Sequence, residues 1–83
     1  MITPKQEFIV GGKKLHLTHD QVVSALRGVV LGPVRTHRVE INGVMYPVKE
    51  AFALISGLDV ADFNTNQARN IFKRLGFKVE RVG

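Results

Sequence analysis

The sequence has no cysteine, which removes disulfides, thiolate metal sites and cysteine nucleophiles together. Secreted domains of this size commonly depend on disulfide staples, so their absence favours the cytoplasm. No stretch approaches the ~20 apolar residues of a membrane span. Met1 to Phe8, which carries Lys5 and Glu7, has no apolar signal-peptide region after a basic start. Internal repeats, low-complexity tracts and linkers are also missing. With 83 residues, 45% of them hydrophobic, the chain reads as one globular domain, residues 1–83, with room for one core and little space for a deep enzyme pocket.

Acidic residues are the other shortage. Seven Asp and Glu stand against twelve Lys and Arg, a net charge of +5, which favours a polyanionic partner, nucleic acid before an acidic protein or membrane surface. From Asn64 through Val79 there is no acid at all, while the same stretch holds Arg69, Lys73, Arg74 and Lys78. Solvated helix faces ordinarily mix the two signs.

Catalytic constellations are equally scarce. His16, His19 and His37 are the only histidines, and they match neither a zinc spacing nor a His-Glu-x-x-His pattern, so they read as surface or strand residues. Asp59 and Asp62 are spaced to hold a cation or a proton, but among Val60, Ala61 and Phe63 they read as turn and cap residues. Gly11-Gly12-Lys13-Lys14 lacks the spacing of a phosphate loop, and no serine, histidine and aspartate set suggests a nucleophile. The expectation is a non-enzymatic protein with no cofactor and no metal.

What is present is a series of short, well-punctuated elements. Glu7 to Val10 and Leu15 to Leu17 predict a hairpin turning at Gly11-Gly12, with Lys13 and Lys14 at its tip. Thr18 to Arg27 predicts a first helix: Thr18 and Gln21 have capping-box spacing, Asp20 suits the positive end of the dipole, Val22, Val23, Ala25 and Leu26 form an apolar stripe, and Gly28 offers a stop. His37 to Ile41 and Val44 to Tyr46 flank Asn42-Gly43, the strongest type I′ hairpin signal. Pro47 suits a first helical position, Val48, Ala51, Phe52 and Ile55 have i, i+3, i+4, i+7 spacing, and Gly57 with Leu58 suggests a Schellman end. After a connector, Leu58 to Asn64, Thr65 is the expected N-cap of a third helix built on Ala68, Ile71, Phe72 and Leu75 and ended by Gly76; Phe77 to Val82 is a last strand. The order ββαββααβ predicts a small α+β domain with helices packed on an antiparallel sheet.

The third helix carries the candidate site. On a helical wheel Asn66, Asn70 and Lys73 fall opposite the apolar stripe, flanked by Gln67, Arg69 and Arg74. Asn and Gln can pair with the edge of adenine, and Arg with guanine or phosphate. Thr65 and the first-turn amides can hold a phosphate. Lys49, in the first turn of the second helix, and the hairpin's Lys13 and Lys14 are auxiliary phosphate contacts, although Lys49 also has Glu50 or Asp20 as possible ion-pair partners. Two helices joined by a glycine-containing connector are compatible with a helix-turn-helix, but Gly57 to Asn64 exceeds its usual short turn.

These residues also carry a resemblance. Tyr46-Pro47-Val48-Lys49, an apolar helix, Phe63-Asn64-Thr65, Ala68-Arg69 and Leu75-Gly76-Phe77-Lys78-Val79 together resemble the N-terminal head domain of McrA-type HNH restriction endonucleases, which act on modified DNA, and small actinobacterial proteins of unassigned function. The resemblance covers Val44 to Val82 and implies a DNA-associated accessory domain; it supplies no nuclease, because the chain has no HNH residues, and Glu7 to Arg27 has no counterpart in it. DNA is thus the expected partner ahead of RNA. The competing expectation is a protein-interaction module, such as an adaptor, an antitoxin-like or phage-encoded inhibitor, or a homodimer, using the apolar Val29-Val30-Leu31 and Val44-Met45.

Overall fold

The computed structural model describes residues 6–33 and 36–81. Its elements follow the expected order: β1 (Gln6–Val10), β2 (Lys13–Leu17), α1 (His19–Leu26), β3 (His37–Ile41), β4 (Val44–Pro47), α2 (Val48–Ser56), a 3₁₀ turn (Val60–Asp62), α3 (Thr65–Arg74) and β5 (Lys78–Arg81). The strands form two antiparallel sheets, β1-β2 and β4-β3-β5. Val82, the expected end of the last strand, lies outside the described residues.

Local chemistry explains most of these boundaries. Asn42 and Gly43 have φ of 57° and 78°, so the second hairpin turns as type I′ with a residue tolerant of positive φ at each central position. In the first hairpin the turn takes only Gly11 and Gly12. Lys13 and Lys14 therefore open β2, two residues earlier than the apolar pattern suggests. Thr18 and Gln21 complete a reciprocal capping box at α1. Ala25, expected in the apolar stripe of α1, is exposed; Val22 and Leu26 carry the burial.

Three helix ends differ from expectation. Pro47 keeps an extended ψ of 130° because it pairs with Arg38 in the β3–β4 ladder; it is the N-cap of α2, not its first residue. Asn64, not Thr65, caps α3, accepting from the Gln67 amide at 2.8 Å while the Gln67 side chain accepts from the Asn64 amide at 2.9 Å. An acceptor one residue earlier reaches the N3 amide, which leaves Thr65 as the first helical residue. At the end of α2, Gly57 bonds to the Ala53 carbonyl and Leu58 to the Ser56 hydroxyl, an αL cap without the second bond of a Schellman motif. The Schellman pair occurs after α3, where Gly76 bonds to Lys73 and Phe77 to Phe72. Phe77 thus belongs to the cap, and β5 begins at Lys78.

The core joins both sheets and all three helices. Val22, Val39, Val48, Ala51, Phe52, Ala68 and Phe72 are fully or almost fully buried, and Phe52 meets both Phe63 and Phe72 edge to face. Val39 links β4 and β5, pairing with Tyr46 on one side and Val79 on the other. The Tyr46 hydroxyl donates to the Leu26 carbonyl at 2.9 Å, which ties β4 to the end of α1. No helix among the described residues is long and apolar enough to cross a membrane.

Candidate nucleic-acid interface

Ala68, Ile71 and Phe72 fasten α3 to the core, and Asn66, Gln67, Asn70, Lys73 and Arg74 are left exposed. β1 runs antiparallel along one flank of the helix. At the far end the Gln6 side-chain amide donates to the Arg74 carbonyl at 2.8 Å. At the near end Gly11 lies so close to the Asp62 carbonyl that a Cβ would stand 2.8 Å from it. The hairpin is thereby set against the start of α3, and a groove between β1 and the helix is lined by Phe8, Ile9, Gln67, Asn70 and Arg74.

The candidate cations are not equivalent. Lys73 is exposed. Arg74 is exposed as a residue, but its guanidinium lies over the Phe8 ring, 4.9 Å from the centroid. Arg69 is half-buried, donates to Asn66 at 3.4 Å, and holds its Nε buried without a partner among the described residues. Lys14 pairs with Glu7 at 3.2 Å on the exposed face of the hairpin. Lys78, part of the acid-free run, lies on β5 and pairs with Glu80 at 2.9 Å, so it adds nothing to the helix face. By contrast, no ion pair among the described residues involves Lys13, Lys49, Arg69, Lys73 or Arg74. Glu50 and Asp20 accordingly do not pair with Lys49.

Lys49 and Thr65 lie on the opposite flank of α3, in a second groove that also contains His37. The Lys49 ammonium sits 5.7 Å from the Phe63 ring centroid. Burial, then the positive charges of Arg69 and Arg81, push the His37 pKa below its ordinary value. Sequence reasoning placed His37 only as a surface or strand residue; its position opposite Arg81 depends on the β3–β5 pairing, and its approach to Arg69 on the packing of α3 against β3, for neither of which the sequence carries a local signal.

Several of the other titratable residues have structural roles. Asp59 accepts from the Ala61 amide at 2.9 Å and caps the 3₁₀ turn. His19 stacks on Phe77 with ring centroids 4.3 Å apart. On the outer face of the larger sheet Arg38 and Lys78 both pair with Glu80, at 2.6 and 2.9 Å, and hold its carboxyl below the usual carboxylate range. Among the described residues no three His, Asp or Glu are grouped to hold a metal.

A family model described as SCO5918-like matches residues 9–82. The chain belongs to the SCO5918-like family. The SCO5918-like match runs from within β1 to just beyond β5, so the first hairpin and α1 are part of the same family unit as the α3 face. No curated protein and no solved structure matches the chain.

Proposed function

We propose that this protein is a non-enzymatic nucleic-acid-binding module, with DNA favoured over RNA, and that the outer face of α3 is its contact surface. The observation that carries this reading is the charge state of the helix. Arg69, Lys73 and Arg74 belong to an element with no acidic residue and enter no ion pair among the described residues. An unneutralised basic strip interleaved with carboxamides, here Asn66, Gln67 and Asn70, suits phosphates and base edges together. Of the carboxamides, Asn70 is the freest, because the Gln67 oxygen is engaged in the cap and the Asn66 oxygen accepts from Arg69. The partial resemblance of Val44 to Val82 to the McrA-type head domain supports DNA as the partner.

Fluorescence anisotropy with a short duplex at two salt concentrations tests the reading. Affinity falls steeply with salt if the helix neutralises phosphates, because counterions are released. Absence of binding to any duplex or single strand at low salt contradicts it.

A protein-interaction role has one observation of its own. Val30 is 93% exposed, Val44 and Met45 are exposed, and Tyr46 bonds the carbonyls of both Leu26 and Val29, which brings the loop beside β4. Val29 and Leu31, expected in the same surface, pack against the core, so the exposed apolar residues that favour a partner are Val30, Val44 and Met45. Sedimentation as a clean monomer that binds DNA argues against it.

A further inference from the structure

The groove on the α2 side of α3 has a volume of about 340 Å³ and is walled by Thr36, His37, Pro47, Lys49, Glu50 and Thr65. One wall residue holds a polar atom that lacks a partner, and a second such atom lies on α3 beside it. His37 Nδ1 is buried with no hydrogen-bond partner among the described residues, and so is the Nε of Arg69, one turn along α3 from Thr65. Buried polar atoms in native proteins are nearly always satisfied, so the unpartnered ring nitrogen of His37 in the groove wall calls for a polar ligand, to which a protonated imidazole would donate. The surrounding charge has one dominant sign: Arg69 and Arg81 both act on His37, and Lys49 adds a further cation.

The start of α2 points the same way. Pro47 holds the N-cap position and has no side-chain oxygen, so no side chain caps the first turn. Lys49 in that turn is opposed by the helix dipole, a sign reversed once an anion sits between them. Glu50 is the one carboxylate in the wall. Its Oε2 lies 3.3 Å from where a Cβ on Gly32 would stand, toward the loop side.

We propose that this groove binds a phosphate group, held by Lys49, His37 and the first-turn amides of α2, with the nearby charges of Arg69 and Arg81 favouring an anion there. Phosphate offers several acceptor oxygens and enough negative charge to meet all of these donors at once. The site shares Lys49 and Thr65 with the nucleic-acid face and to that extent rests on that reading. The same chemistry could come from a strand's backbone or from a free phosphorylated small molecule.

Inorganic phosphate titrated into the ¹⁵N-labelled full chain tests the site, followed by a short duplex. With phosphate, the backbone amides of Lys49 and Glu50 and the ring of His37 shift, and the His37 pKa rises. Lys49→Glu weakens this response by at least about tenfold, as expected when a charge-assisted contact becomes a repulsive one. Glu50→Gln strengthens it, a gain that a purely structural role does not produce, and it keeps the test open if Lys49→Glu misfolds. If phosphate moves none of these signals, the inference is overturned, even where a duplex still shifts α3 and leaves the nucleic-acid reading intact. If phosphate moves them and no duplex or single strand binds, the groove serves a free phosphorylated ligand and the nucleic-acid reading fails alone. If the duplex moves the same signals, the strand backbone is the source.

Discussion

The guanidinium of Arg74 lies 4.9 Å from the centroid of the Phe8 ring, over a side chain that is only 5% exposed. One of the three cations of α3 therefore also fastens the first hairpin to the helix. Arg74→Ala is expected to cost about 0.5–1 kcal/mol, the usual scale of an exposed cation–π contact. Lys73→Ala should change stability by less than about 0.5 kcal/mol, as surface substitutions do. Urea midpoints of the two variants check this. Only Lys73→Ala then reports cleanly on binding.

The cap at the start of α3 has its own test. Asn64→Ala removes the acceptor of the Gln67 amide and breaks the capping box, so a loss of about 1 kcal/mol is expected. Thr65→Ala should be close to neutral in stability. The opposite ranking in chemical denaturation would return the cap to Thr65.

Tyr46→Phe removes a buried donor and leaves the Leu26 carbonyl, at 2.9 Å, without it. The Leu26 carbonyl keeps the Val29 amide as a donor, so the loss is that of a single hydrogen bond, about 0.5–1.5 kcal/mol, and should appear as a lower urea midpoint with an unchanged m-value. The neighbouring Val29 carbonyl is released as well, so amides of the loop after α1 should exchange faster with solvent.

The acid limb of stability depends on Glu80. Arg38 first and Lys78 second hold its folded carboxyl below the usual carboxylate range, so the folded state binds fewer protons than the unfolded one at acidic pH. The stabilisation is present above the ordinary carboxylate value and is lost as pH falls through the lower, folded value. Denaturation midpoints measured from pH 6 downward (about two units either side of the usual carboxylate value suffices) should fall less steeply for Glu80→Gln than for the parent. Equal steepness would remove Glu80 from the account.

How much of this was legible in the chain depended on how local the physics was. Asn42-Gly43, Thr18 with Gln21, and the helical spacing of Ala68, Ile71 and Phe72 act within a few residues, and the corresponding hairpin, cap and helix are where the pattern puts them. Pro47 is the informative exception: its fixed φ suits both a helix start and an extended residue, and its ladder partner Arg38 decides between them. Which side chains of α3 point outward was also legible, since burial follows the wheel. What they meet was not. The Arg74–Phe8 contact and the approach of Arg69 to His37 depend on where β1 and β3 lie relative to α3, and the Arg38–Glu80 pair depends on the β3–β5 register. The acid-free run was therefore a partly misleading signal: it counted Lys78, which is neutralised on the sheet, together with three helix cations that are not.

The central claim is tested most directly by the salt dependence of duplex affinity for the parent chain and for Arg69→Ala with Lys73→Ala, measured by anisotropy. If the outer face of α3 contacts phosphates, log affinity falls linearly with log salt. The double variant then binds more weakly, with a slope shallower by about one for each phosphate it no longer neutralises. Binding that is equally tight, with the same slope, in the double variant would place the contact surface somewhere other than α3.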